Sequence, residues 1–297
     1  MAKKSSLSGL FSALLVPFDA DGQVNEAGLR QVVRHNLDQM QVDGLYVGGS
    51  TGENFMLDVA TKKQIFAIAK DEAGDKGKLI AQIGGPNLYE AIDLAAYAKD
   101  LGYDALSAVT PFYYKFSFAE VKQYYFDILE AVDAPMIVYS IPFLTGVEIG
   151  LAQFAELFAH ERIIGVKFTA ADFYLLERLR SAYPDHLIYS GFDEMLLPAM
   201  VNQVDGAIGS TYNVNGVRAR EIMDLAQAGD FAAARRIQQQ SNDLISAILD
   251  NGLYPTIKQL LVLAGCNQGP FLSRKPMASA TEAQIVRAKE IYQQFLA

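Results

Sequence analysis

Residues that form disulfides or bind metals are scarce in this chain. A single cysteine, Cys266, among 297 residues excludes an internal disulfide, and the three histidines (His35, His160 and His186) lack metal-ligand spacing. Cys266 therefore reads as a small core hydrophobe. Positive charge is also in deficit. With 25 Lys and Arg against 34 Asp and Glu, the formal net charge is −9, and a phosphate backbone would meet repulsion over most of the surface. Nucleic acid is disfavoured as a partner. A small anion is not, because a few local N–H groups and one cation can outweigh a distant net charge. No uncharged apolar run reaches the roughly eighteen residues that a membrane span needs. The apolar stretch that follows the N-terminal lysines ends at Pro17, Phe18 and Asp19 with no small-residue cleavage site after it. The expected location is the cytoplasm.

What is present is apolar and regularly interrupted. At 51% hydrophobic residues the chain can bury a large core. Eight short apolar, β-branched runs recur at 10–18, 44–49, 78–85, 105–111, 135–142, 163–170, 186–193 and 206–213. They lack strict alternation, as expected of parallel strands covered by helices on both faces. Helical patterns separate them. Ser117 and Glu120 form a capping box ahead of a stripe of Val121, Tyr124, Tyr125, Ile128, Leu129 and Val132. Asn87 with Glu90 repeats the signal, and Asn25 opens a third helix.

Eight βα alternations without a linker predict a (β/α)8 TIM barrel. The rival, a doubly wound open sheet, usually carries a glycine-rich phosphate loop after its first strand, and "LVPFDADGQVNEAG" contains neither GxGxxG nor GxxxxGK. After residue 215 the strand signal stops and helical patterning continues. The expected organisation is a catalytic barrel over 1–215 with a C-terminal all-helical extension over 216–297 packed on it.

Barrel enzymes carry their chemistry at the C-terminal ends of the strands. Here those ends read "GGSTGEN", "TPFYY", "VYSIP", "VKFTA", "SGFDE" and "GSTYN", so hydroxyls, tyrosines and carboxylates share one rim with a lysine. Lys167 is the only charged residue in "IIGVKFTA". A buried amine escapes its desolvation penalty by losing its proton, and a neutral amine is a nucleophile. An exposed strand end or a core ion pair would leave the same signature, just as "GGSTGE" alone could be a tight turn rather than an anion nest. In combination, Lys167, Tyr139 and the pair Ser50 and Thr51 meet the three needs of imine chemistry on a keto acid, namely a nucleophile, a proton carrier and carboxylate donors.

These motifs, in this order and spanning nearly the whole chain, resemble the pyruvate-dependent, Schiff-base-forming lyases related to dihydrodipicolinate synthase and N-acetylneuraminate lyase. Within that family "GGSTGE" with "GFDE" and "IGSTYN" is most similar to the branch acting on N-acetylneuraminate. Leu144 stands where dihydrodipicolinate synthases typically carry an arginine, which removes a bidentate partner for a second dicarboxylate substrate. The resemblance implies a class I aldolase that cleaves sialic acid reversibly to pyruvate and N-acetylmannosamine, with neither metal nor organic cofactor. It makes Lys167 the imine former and Tyr139 the proton carrier, with Ser50 and Thr51 on the substrate carboxylate. Thr169, Gly191, Asp193, Glu194 and Ser210 would hold the sugar hydroxyls and glycerol tail. Tyr113 would reach into the site of an adjacent subunit of a homotetramer. Asn54 and Phe168 depart from the usual family residues at the edge of the site. Two other readings are an aldolase for 2-keto-3-deoxy sugar acids and a non-catalytic barrel that senses keto acids.

Overall fold

The computed structural model describes residues 7–297, so the N-terminal lysines lie outside the described residues. Every apolar run becomes a strand: β1 (Gly9–Ala13), β2 (Gly44–Val47), β3 (Lys78–Gln82), β4 (Ala105–Val109), β5 (Met136–Ser140), β6 (Ile163–Phe168), β7 (Leu187–Ser190) and β8 (Gly206–Gly209). Neighbours in sequence pair in parallel, and β8 returns to β1 to close the barrel. After each strand comes a helix: α1 (Glu26–Gln39), α2 (Val59–Ala73), α3 (Leu88–Asp100), α4 (Phe118–Ala131), α5 (Leu151–Phe158), α6 (Phe173–Ala182), α7 (Leu196–Val201) and α8 (Tyr212–Gln227). Three more, α9 (Phe231–Asp250), α10 (Leu253–Leu263) and α11 (Glu282–Phe295), follow the barrel. Among the described residues no helix is long and apolar enough to cross a membrane.

The helices start where local chemistry dictates. Ser117 caps α4 in a two-way capping box with Glu120, and the side chains of Asn25 and Asn87 accept the first N–H groups of α1 and α3. The α4 stripe from Val121 to Leu129 is buried, Tyr124 and Tyr125 included. Strand side chains divide into two apolar assemblies. Phe11, Tyr46, Ile80, Ile137, Tyr139 and Ile208 fill the barrel interior, while Leu10, Leu45, Leu79, Leu106, Val138 and Val166 face outward under the helices. This alternation is the period of two expected within each strand.

One strand breaks the period, and the break places the lysine. Met136 pairs with Ile163 but Ile137 pairs with Gly165, so Ile164 is an extra residue in β6. Ile163 and Val166 pack in the outer layer, whereas Ile164 packs against the interior. Uninterrupted alternation from Ile163 would turn Lys167 outward. The bulge reverses the phase, and Lys167 lands beside the inward-facing Tyr139.

The C-terminal helices are fastened to the rim of the barrel after β7. On α9, Gln238 donates to the Asp193 carbonyl (3.2 Å) and accepts from the Leu197 N–H (2.9 Å), while Asn242 donates to the Glu194 carbonyl (3.2 Å). The division expected at 215/216 falls inside α8, at a point where Asn215 leaves helical geometry (φ −126°, ψ 15°).

Candidate active site

Lys167 lies next to last on β6, in register with Tyr139 on β5 and Tyr189 on β7. It is only 5% exposed, and its Nζ rests over two aromatic faces, 4.0 Å from the Tyr139 ring centroid and 4.4 Å from that of Tyr46. Ring faces favour a cation, but only partly replace water. Burial therefore dominates and lowers the amine from its ordinary 10.5 to about 7, with the negative charge of Asp193 pulling it back upward. Near neutrality a substantial share of the amine is unprotonated, whereas an exposed lysine offers roughly one neutral amine in a few thousand. The strand-end and ion-pair alternatives for this lysine do not describe its position.

Tyr139 is 3% exposed and stands edge-on to Tyr46, with ring centroids 6.0 Å apart. Burial pushes its phenol up to about 12, and the hydroxyls of Ser50 and Thr169 partly offset this. The phenol is thus protonated at neutral pH and next to two groups able to pass a proton. Thr169 Oγ1 is itself buried without a well-formed hydrogen bond.

Facing this pair is the turn after β2. Residues Ser50–Gly52 form a short 3-10 turn, and Thr51 Oγ1 lies 2.6 Å from Ser210 Oγ at the end of β8. Barrel closure puts these two hydroxyls, 159 positions apart in sequence, side by side. They form a small polar edge able to hydrogen-bond a carboxylate at Thr51 and a sugar hydroxyl at Ser210.

The acidic corner follows β7. Asp193 is 8% exposed and accepts at Oδ2 from the Thr211 N–H (2.7 Å) and hydroxyl (2.6 Å). Burial raises it to about 6, against the lowering effect of those two donors, and neighbouring Glu194 adds to the rise. Space for the carboxylate depends on Gly209, where a Cβ would sit 1.7 Å from Asp193 Oδ1. Gly191 likewise abuts Thr169, since a Cβ there would lie 1.8 Å from its Oγ1.

The structure thus gathers Lys167, Tyr139, Ser50, Thr169, Gly191 and Asp193 through mutual contact or electrostatic coupling, with Thr51 bound to Ser210 and Glu194 next to Asp193. Tyr113 is not in this group. It is 85% exposed, adopts a left-handed backbone (φ 81°), and packs edge-on to Tyr114. A cleft of about 210 Å³ at the rim is lined in part by Ser50, Phe112, Ile141 and Leu144.

Several neighbours escape a sequence reading. Tyr46, whose hydroxyl lies 3.0 Å from Ser107 Oγ, supplies the second ring under Lys167. Alternation along "GLYVGG" was its available signal. Tyr254 on α10 gives no such signal, because it lies in an ordinary helical stripe. Burial raises its phenol to about 12, and Tyr139 and Glu53 add to the rise, which places it at the rim.

An amine poised near neutrality at the strand ends of a (β/α)8 barrel, beside a buried phenol and a hydroxyl pair, defines the class of barrel enzymes that work through a lysine imine. Comparison with known proteins narrows the class. Residues 6–294 match the Dihydrodipicolinate synthetase family, and the chain belongs to it. An N-acetylneuraminate lyase of Histophilus somni is 62% identical over 292 residues, which cover 98% of this chain and 99% of that one. Among solved structures, the Fusobacterium nucleatum N-acetylneuraminate lyase complexed with pyruvate superposes with a TM-score of 0.95 at 57% identity, with 100% of both chains covered. CdNal of Clostridium difficile, solved with mannosamine, gives a TM-score of 0.96 at 60% identity, covering 98% of this chain and 99% of that one.

Proposed function

We propose that this protein is a class I aldolase that reversibly cleaves N-acetylneuraminate to pyruvate and N-acetylmannosamine. The observation that carries the reading is the placement of Lys167 Nζ against the Tyr139 ring in a site that holds the amine near neutrality. Relatives that carry the lyase name at about three-fifths identity over nearly the full length support it, as do the pyruvate and mannosamine bound by two of the solved relatives.

In this mechanism the Lys167 amine adds to the keto carbon of the substrate, water departs, and a protonated imine forms. The bond between the third and fourth substrate carbons then breaks. Its electron pair flows into the imine to give an enamine, while the proton of the C4 hydroxyl passes to Tyr139, which hands one on to the substrate carboxylate. N-acetylmannosamine leaves as the aldehyde. The enamine takes up a proton at carbon, and water releases pyruvate from Lys167. Ser50 and Thr51 hold the carboxylate, and the high pKa of Tyr139 explains why the proton needs that carboxylate and the nearby hydroxyls as carriers. Thr169, Gly191, Asp193, Glu194 and Ser210 receive the sugar hydroxyls. The chemistry uses neither metal nor organic cofactor.

Leu144, in the one-turn helix Pro142–Thr145 at the cleft, supports a polyhydroxyl rather than a dicarboxylate second substrate because it offers no guanidinium. The exposed Tyr113 is assigned to the neighbouring site of a homotetramer, and the protein to the cytoplasm. Borohydride added with pyruvate should inactivate the protein and label Lys167. Label at a different lysine contradicts the mechanism, and faster pyruvate release from 2-keto-3-deoxygluconate than from N-acetylneuraminate contradicts the substrate.

A further inference from the structure

Beneath the hydroxyl-bearing turn lies an ion pair that the mechanism does not use. Glu53 ends "GGSTGE" and is 2% exposed, and its carboxylate meets Lys258 of α10 with Oε1 and Nζ 2.5 Å apart. Both side chains are sealed from water, at 0% and 1% exposure. The remaining valences are filled with equal economy. Glu53 Oε2 accepts the Arg274 N–H (2.5 Å), Lys258 donates also to the Leu272 carbonyl (2.7 Å), and its Nζ lies 5.1 Å from the Phe18 ring centroid. Phe18 and Leu272 are in turn joined by an antiparallel bridge. One carboxylate thereby ties the turn after β2 to α10 and to the segment before α11.

Backbone geometry makes the tie directional. Glu53 sits in the left-handed region (φ 59°, ψ 27°), where a residue with a Cβ stays only when its surroundings hold it. Its N–H donates to the Ser50 carbonyl at 2.9 Å, so any rotation of Glu53 is passed to the residue whose hydroxyl faces Tyr139. A buried ion pair by itself adds little stability over an apolar pair of the same volume, which leaves fixing a geometry as the better account of why two charges are kept here.

We infer that Glu53, clamped by Lys258 and the Arg274 N–H, is a positioning residue that sets Ser50 and Thr51 against the substrate carboxylate, and that the C-terminal helices are in this way part of the active site. The inference rests on the function proposed above. Glu53 touches no reacting atom in this account; it acts through the turn.

The test compares E53Q, E53D and the double variant E53Q/K258M with the unaltered protein. Displacing Ser50 and Thr51 weakens the hold on the keto acid and also disturbs the carboxylate that takes the Tyr139 proton, so it acts on KM and kcat together, whereas imine trapping by pyruvate reads the binding part alone. E53Q and E53D are expected to raise KM for N-acetylneuraminate about tenfold or more, and the pyruvate concentration for half-maximal borohydride trapping in step, with a fall in kcat beside it. E53D keeps the charge but shortens the arm, so its failure to restore KM separates geometry from charge. E53Q/K258M removes both charges and is expected to regain thermal stability while KM stays high. Recovery of the original KM in the double variant, or unchanged KM in both single variants alongside a lowered Tm, overturns the positioning role. Absence of trapping in the unaltered protein removes the parent reading, and the inference with it.

Discussion

Tyr139 and Lys167 are register partners across the β5–β6 pair, and the lysine nitrogen lies 4.0 Å from the centroid of the tyrosine ring. Two demands meet in that contact. The ring excludes water from the amine, which keeps it reactive, and the same burial holds the phenol protonated.

The first consequence is a division of labour between the two side chains. Y139F should still form a borohydride-trappable imine with pyruvate at Lys167, but its turnover of N-acetylneuraminate should fall by about 10²- to 10⁴-fold, the usual contribution of a positioned proton carrier. Trapping by mass spectrometry and turnover by pyruvate release check the two halves separately. Loss of trapping in a folded Y139F would show the phenol to be needed for imine formation as well.

The second concerns pH. In the proposed mechanism free Lys167 attacks as the neutral amine, and burial brings its pKa down from 10.5 to about 7. The rate kcat/KM should therefore rise with pH through about 7 and then level. Asp193 pushes that pKa upward, so D193N, which removes its charge, should move the acidic limb to lower pH. A limb that stays fixed or moves up in D193N would disconnect the two groups.

A third prediction turns the same shift into stability. The folded pKa of Lys167 lies below its unfolded value, so between about 7 and 10.5 the unfolded chain binds a proton that the folded one does not. Below pH 7 the folded state carries the whole penalty, on the order of a few kcal/mol, and above 10.5 the penalty vanishes. K167M should abolish turnover yet raise Tm, with the largest gain on the acidic side and little gain in alkali. Thermal melts across that range decide it.

The fourth uses Gly209. A methyl group there would meet Asp193 Oδ1 at 1.7 Å, and the carboxylate would have to leave the Thr211 donors. G209A should weaken N-acetylneuraminate binding by roughly tenfold or more through one altered pocket contact, while half-saturation of imine trapping by pyruvate stays near its original value. Equal losses for both ligands would place Asp193 on the shared keto-acid end instead.

Much of this architecture can be read from residues alone, for a physical reason. Strands covered on both faces must be apolar throughout, so all eight runs stand out, and each extends past its hydrogen-bonded strand into the rim that carries the polar groups. Capping at Ser117 and Asn87 is equally legible because it is local. The bulge at Ile164 is not, since alternation counted from Ile163 points Lys167 the wrong way and only pairing with Met136 and Ile137 reveals the extra residue. Nor is the link between Glu53 and Lys258, two charges 205 positions apart, each ordinary in its own segment. Tyr254 is hidden for a related reason, as an aromatic in an apolar stretch reads as core until the fold couples it to Tyr139 and Glu53.

The hydrogen bond between Thr51 and Ser210 dates the birth of the site during synthesis. One partner is made early and the other some two-thirds of the way along the chain, and the clamp from α10 arrives later still. A ribosome-bound fragment ending before β8 therefore holds the amine and the phenol but lacks half of the hydroxyl edge. In the proposed mechanism competence waits for β8 and α10, and the long wait for the last strand leaves the open sheet's flanks exposed to wrong partners.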